Sequence, residues 1–151
     1  MTAMPTSRQL VVSALRRTGD AVPEDASRVP PDRWEDAPAG GMRSLRQVLQ
    51  HLIECEDWWL QNMGVPESER PSAPDLASME SAATMAGVFA SARSHLVRVV
   101  EDLPEEWFHR RPPACEYGDL QTGADLLHYA AEHTYYHDGQ IQMLEMAFAL
   151  P

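Results

Sequence analysis

His133 and His137 stand four residues apart, so on an α-helix their side chains lie one turn apart on the same face. Burying two imidazoles at adjacent core positions leaves four ring nitrogens in need of partners. One divalent metal ion satisfies a nitrogen on each ring at once. HxxxH alone is a weak signal, and the third ligand has to come from another helix. His51 is the histidine that lies beside an apolar helical stripe elsewhere in the chain, with Val48, Leu52 and Cys55 on neighbouring turns. Three imidazoles would leave a coordination position open, which is what separates a catalytic site from a structural one. A water or thiol bound there would lose its proton more readily and become a nucleophile.

Several residues near this triad could support it. Glu54, Glu132, Tyr136 and Gln140 are close enough in sequence to orient the rings, and the sequence does not choose among them. Glu54 and Glu132 are also candidate general bases if the chemistry is hydrolysis by an activated water. Cys55 lies one turn beyond His51 and could be a fourth ligand or a redox-active thiol, although a lone cysteine on a packed helix is ordinarily a small buried hydrophobe. Trp58, seven residues after His51, could wall a substrate pocket or simply be core. His95, His109 and His128 lack a partner at helical spacing on the same face and are expected at the surface or in ordinary hydrogen bonds. A non-catalytic bundle stabilised by its metal is the alternative to an enzyme.

These residues need helices to position them, and four segments have the required periodicity. Three begin with a hydroxyl residue followed three positions later by an acid or amide, the pattern of a capping box: Thr6 with Gln9, Ser44 with Gln47, and Thr122 with Asp125. The first carries Leu10, Val11, Ala14, Leu15 and Val22 as an apolar stripe and is expected to end or restart at Pro23. The second is expected from about Leu45 to Met63, closing at Gly64. In the third, Ala82, Met85, Phe89, Ala92, Leu96, Val99 and Leu103 alternate steps of three and four until Pro104. The fourth, from about Gly123 to Phe148, has the inward stripe Leu126, Ala130, His133, His137, Ile141, Leu144 and Phe148. The connections are long, rich in Pro, Gly, Ser and acids, and without strand alternation. The expected architecture is an all-α four-helix bundle, one domain spanning residues 1–151.

Composition narrows the partners. Against 23 acidic residues stand 12 basic ones, all arginine, for a net charge of -11. That balance repels phosphate backbones, so no nucleic acid is expected as partner. No apolar run approaches the roughly 20 residues that span a bilayer, and the N-terminus lacks a basic segment followed by an apolar core, so a cytoplasmic protein without a membrane partner is expected. Cys55 and Cys115 are two distant thiols, poor candidates for a structural disulfide.

The segment from Glu132 to Ile141 resembles the HxxxHxGQI signature of the DinB/YfiT-like superfamily, and the segment carrying Ser44, Leu45, Val48, Leu49, His51, Leu52, Glu54, Trp58 and Trp59 is similar to that family's second helix. The resemblance implies a bundle with a long crossover, a zinc, nickel or iron ion held by His51, His133 and His137, and a homodimer. It also implies a small-molecule substrate, because relatives include thiol-dependent S-transferases and maleylpyruvate isomerases that use mycothiol or bacillithiol. Asp138 departs from the pattern, standing where many relatives carry Arg.

Overall fold

The computed structural model describes residues 4–38 and 40–150. Four helices carry the fold: α1 (Ser7–Ala26), α2 (Leu45–Met63), α3 (Ala82–Asp102) and α4 (Gly123–Ala149), with no strand among the described residues. The capping boxes of α1, α2 and α4 form as the sequence predicts. Thr6, Ser44 and Thr122 each accept from the backbone N–H three residues on, and Gln9, Gln47 and Asp125 return a bond to the cap's own N–H. Gly64 ends α2 at a φ of 86°, a left-handed conformation that glycine adopts without cost.

Two details of α1 differ from expectation. The helix continues through Pro23 to Ala26. Proline removes one backbone bond and crowds the carbonyl four residues back, but continuation buries Val22 and Ala26 against Trp34 and the start of α2, which offsets that loss. Leu10 is 49% exposed, and Val12 takes the inward position.

Each of α1 and α2 packs on both α3 and α4. The apolar core divides into two clusters. One gathers Val11, Leu15, Trp59, Leu60, Leu96, Val100, Leu126 and Ala130; the other gathers Val22, Leu49, Leu52, Met85, Phe89, Ile141 and Leu144. On every helix the residues between the clusters are polar: Thr18 on α1, Glu56 on α2, Arg93 on α3, and Thr134 and His137 on α4.

Arg93 organises this layer. Its guanidinium meets both Glu56 carboxylate oxygens at 2.8 and 2.6 Å, and donates to Thr134 Oγ1 at 2.7 Å and to the Leu15 carbonyl at 3.0 Å. Both ionic side chains are almost fully enclosed, 4% and 3% exposed. A buried ion pair is tolerated when its geometry is good and its remaining polar atoms are bonded, as here. The layer thereby ties all four helices together at the level of the histidines.

Candidate metal centre

His51 projects from the middle of α2, and His133 and His137 from the middle of α4, all beside the polar layer. The Nε2 atoms of His51 and His137 each lie 3.2 Å from His133 Nε2. The ring centroids are 4.5 to 5.2 Å apart, at steep interplanar angles. Two nitrogens bound at about 2.0–2.1 Å to a zinc-sized ion, at a tetrahedral angle, stand about 3.3–3.4 Å apart. Each of these two spacings therefore matches a pair of donors that share one ion, although the set whose ligand atoms all fall within 4.8 Å of one another, His51, Cys55 and His133, does not include His137.

Hydrogen bonding orients one of these rings. Gln140 Oε1, which can only accept, lies 2.8 Å from His137 Nδ1, so Nδ1 carries the proton and Nε2 presents its lone pair to the cluster. His133 Nδ1 is buried without a partner among the described residues. His51 and His133 are half-buried and His137 is buried, so the cluster has both a dry side and an open one.

The electrostatics keep the imidazoles neutral. Burial, then the neighbouring His137 and His51, push His133 down to about 4, with smaller contributions from Arg93 and Arg43. His51 is lowered by burial, then by His137 and Arg43, against an opposing pull from Glu54. His137 is lowered by burial and by Arg43, while its bond to Gln140 acts the other way. A metal arriving at neutral pH would find lone pairs and would not compete with protons for them.

Of the four residues proposed to orient the rings, Gln140 does so. Tyr136 packs edge-on against His137 with centroids 5.0 Å apart, and its hydroxyl accepts from Gln140 at 3.4 Å. Glu54 accepts instead from Gln50 at 2.9 Å and lines a cavity of about 900 Å³ between α2, α3 and the 64–81 connection. Glu132 is exposed, and neither carboxylate bonds an imidazole among the described residues. Cys55 comes close: its Sγ lies 3.6 Å from His51 Nε2, and His51, Cys55 and His133 offer ligand atoms that all fall within 4.8 Å of one another. Burial, with Glu56 and Glu54 nearby, pushes the free thiol up to about 12.

Trp58 donates to the Tyr117 hydroxyl at 3.0 Å, and the aromatic wall against His133 is built by its neighbour Trp59, with centroids 5.5 Å apart. Tyr117 and Tyr129 complete that wall around Trp59. Sequence reasoning missed both, though Tyr129 carries a signal, since it precedes His133 by one turn on the same face. It missed Arg43 as well, an exposed cation just before the Ser44 cap of α2 that acts on all three imidazoles. His109 and His128 are exposed as expected, whereas His95 is half-buried beside the cavity with its Nε2 unpartnered among the described residues.

No helix is long and apolar enough to cross a membrane among the described residues. No curated protein and no solved structure matches the chain. A sequence model of the DinB superfamily matches residues 14–141, a span that takes in the polar layer and all three histidines. With a helical bundle and a possible metal site at its middle, the chain belongs to the DinB superfamily.

Proposed function

We propose that this chain is a metal-dependent enzyme, a thiol-dependent S-transferase in which His51, His133 and His137 hold one divalent ion of zinc, nickel or iron. The observation that carries the reading is the approach of two Nε2 atoms to within 3.2 Å of His133 Nε2, with His137 oriented by Gln140. An ion bound there supplies Lewis acidity, making a coordinated thiol or water nucleophilic at neutral pH. The protein's own contributions are separate. Gln140 fixes the donor nitrogen of His137, the Trp59, Tyr117 and Tyr129 wall excludes water from one side, and half-buried His51 and His133 leave the other side open to a small electrophile. The thiol, of the mycothiol or bacillithiol kind, comes from the likeness to the superfamily.

Hydrolysis by an activated water is the weaker reading, because it needs a general base and neither Glu54 nor Glu132 bonds an imidazole among the described residues. A homodimer belongs to the same proposal. Tyr135, Tyr136, Met143, Met146 and Leu150 leave a largely apolar face of α4 in solvent, which a second copy would cover. One domain over the whole chain and a cytoplasmic location complete it.

The reading is tested by incubating metal-loaded protein with low-molecular-weight thiols and an alkylating acceptor. Thiol loss faster than in the enzyme-free reaction, abolished in His133→Ala, is the expected result. Loss at the enzyme-free rate for every thiol and acceptor pair would refute transferase activity.

A further inference from the structure

Three imidazoles account for part of a tetrahedral coordination sphere, and the structure contains a further donor atom at the right distance from His51 and within 4.8 Å of the His133 donor. Cys55 follows His51 by one turn of α2, so both side chains leave the helix on the same face. Its Sγ is 3.6 Å from His51 Nε2 and 3.9 Å from Nδ1, so the sulfur sits nearer the nitrogen that faces His133. An ion with a metal–sulfur bond of about 2.3 Å and a metal–nitrogen bond of about 2.0–2.1 Å, at a tetrahedral angle, sets the S···N distance at about 3.6 Å. The same geometry accounts for the nitrogen spacings in the cluster.

A plain thiol–imidazole hydrogen bond would explain the sulfur distance alone. It does not explain why the sulfur and His133 Nε2 converge on one nitrogen, because a ring nitrogen has either one proton or one lone pair and makes one good bond. An ion placed among the three atoms satisfies them together. Cys115, the other thiol, directs its sulfur to the Tyr117 carbonyl at 3.8 Å and lies outside the cluster.

From these distances we infer that Cys55 is a fourth metal ligand, closing a three-nitrogen, one-sulfur site in the resting protein. The inference rests on the three-histidine reading above. Cys55 loses its proton to solvent when it joins the ion, and it is the donor that yields when an exogenous thiol arrives. The incoming thiol then gives up a proton as the released Cys55 sulfur takes one, so charge and protons balance. Cys55 would thus keep water from the ion until a thiol displaces it, favouring thiol transfer over hydrolysis.

Cobalt titration of the metal-free, full-length chain tests this without reference to activity. Expected is one cobalt per chain, with an intense near-ultraviolet thiolate-to-cobalt charge-transfer band. Cys55→Ala should bind cobalt but lose the band, Cys55→Ser should behave likewise, and Cys115→Ala should keep it. Stoichiometric cobalt without the band in the unaltered protein would overturn the Cys55 assignment and leave the three histidines standing, as would a band that survives both Cys55 substitutions. Absence of the band in the unaltered protein decides against Cys55 even if a Cys55 variant fails to fold, and persistence of the band in Cys115→Ala assigns it to Cys55. Absence of cobalt binding would overturn both readings.

Discussion

Arg93 Nη2 donates to Thr134 Oγ1 at 2.7 Å, so a buried cation from α3 grips the residue that precedes the Tyr135-Tyr136-His137 turn and follows His133. Through the same guanidinium, Glu56 on α2 is held next to Cys55. The polar layer therefore sets how α2 and α4 face one another where the histidines meet. Glu56→Ala would leave that guanidinium unpaired in the core, and removal of one partner of a buried pair costs about 3–5 kcal/mol. Chemical denaturation of the metal-free protein should register a loss of that order; a loss below about 1 kcal/mol would mean that the pair does not hold the layer together.

Gly19 reports on the same cation. A Cβ added there would come within 2.6 Å of Arg93 Cγ, whereas a Cβ on Gly87 in α3 meets nothing within 4 Å among the described residues. Helix propensity alone favours alanine over glycine by roughly 0.8–1 kcal/mol at either position. Gly87→Ala should raise the melting temperature and Gly19→Ala lower it, since overpacking of a fixed side chain costs about 1–3 kcal/mol. Equal stabilisation by both substitutions would show that Arg93 is free to move aside.

Acid should destabilise the metal-free protein through the imidazoles. His133 titrates near 4 in the folded chain against an ordinary value of 6.5, so between those two pH values the unfolded state binds more protons and stability falls as pH falls. His51 and His137 are displaced in the same direction. Melting temperature followed from pH 7 downward should drop through that window, and His133→Gln should flatten the drop; an unchanged profile in the variant would place the effect elsewhere.

Asp138 acts with the opposite sign. Burial, then the Asp25 carboxylate beside it, push its carboxyl up to about 6, and one of its oxygens is buried without a partner among the described residues. Between its ordinary value of 3.8 and about 6 the folded state binds more protons, so this group contributes stability at low pH that is lost as pH rises. Asp138→Asn should stabilise the protein at pH 7 by about 1–3 kcal/mol, retaining an acceptor for Gln142, and the gain should vanish near pH 4. Destabilisation at pH 7 would mean that the charge is needed.

The helices and most of the cluster were legible in the sequence because both rest on local pattern. Thr6, Ser44 and Thr122 announce their helices through partners three residues away, and His133 and His137 share a face through a four-residue step. Other features depend on contacts that spacing does not encode. Arg93 and Glu56 carry no signal in the sequence, since nothing local reveals a partner 37 residues distant. Pro23 reads as a helix end because the burial of Val22 and Ala26 that outweighs it is tertiary. Tyr117 lies in an aperiodic connection and reaches the site through Trp58, Trp59 and Tyr129.

Elemental analysis of the purified protein beside His51→Ala, His133→Ala and His137→Ala shows whether the three histidines bind one ion together. One divalent ion per chain is expected in the unaltered protein, with a marked loss in each variant and circular dichroism showing the helices retained. Stoichiometric metal in all four proteins, or none in the unaltered one after growth and titration with zinc, nickel and iron, would contradict the shared site.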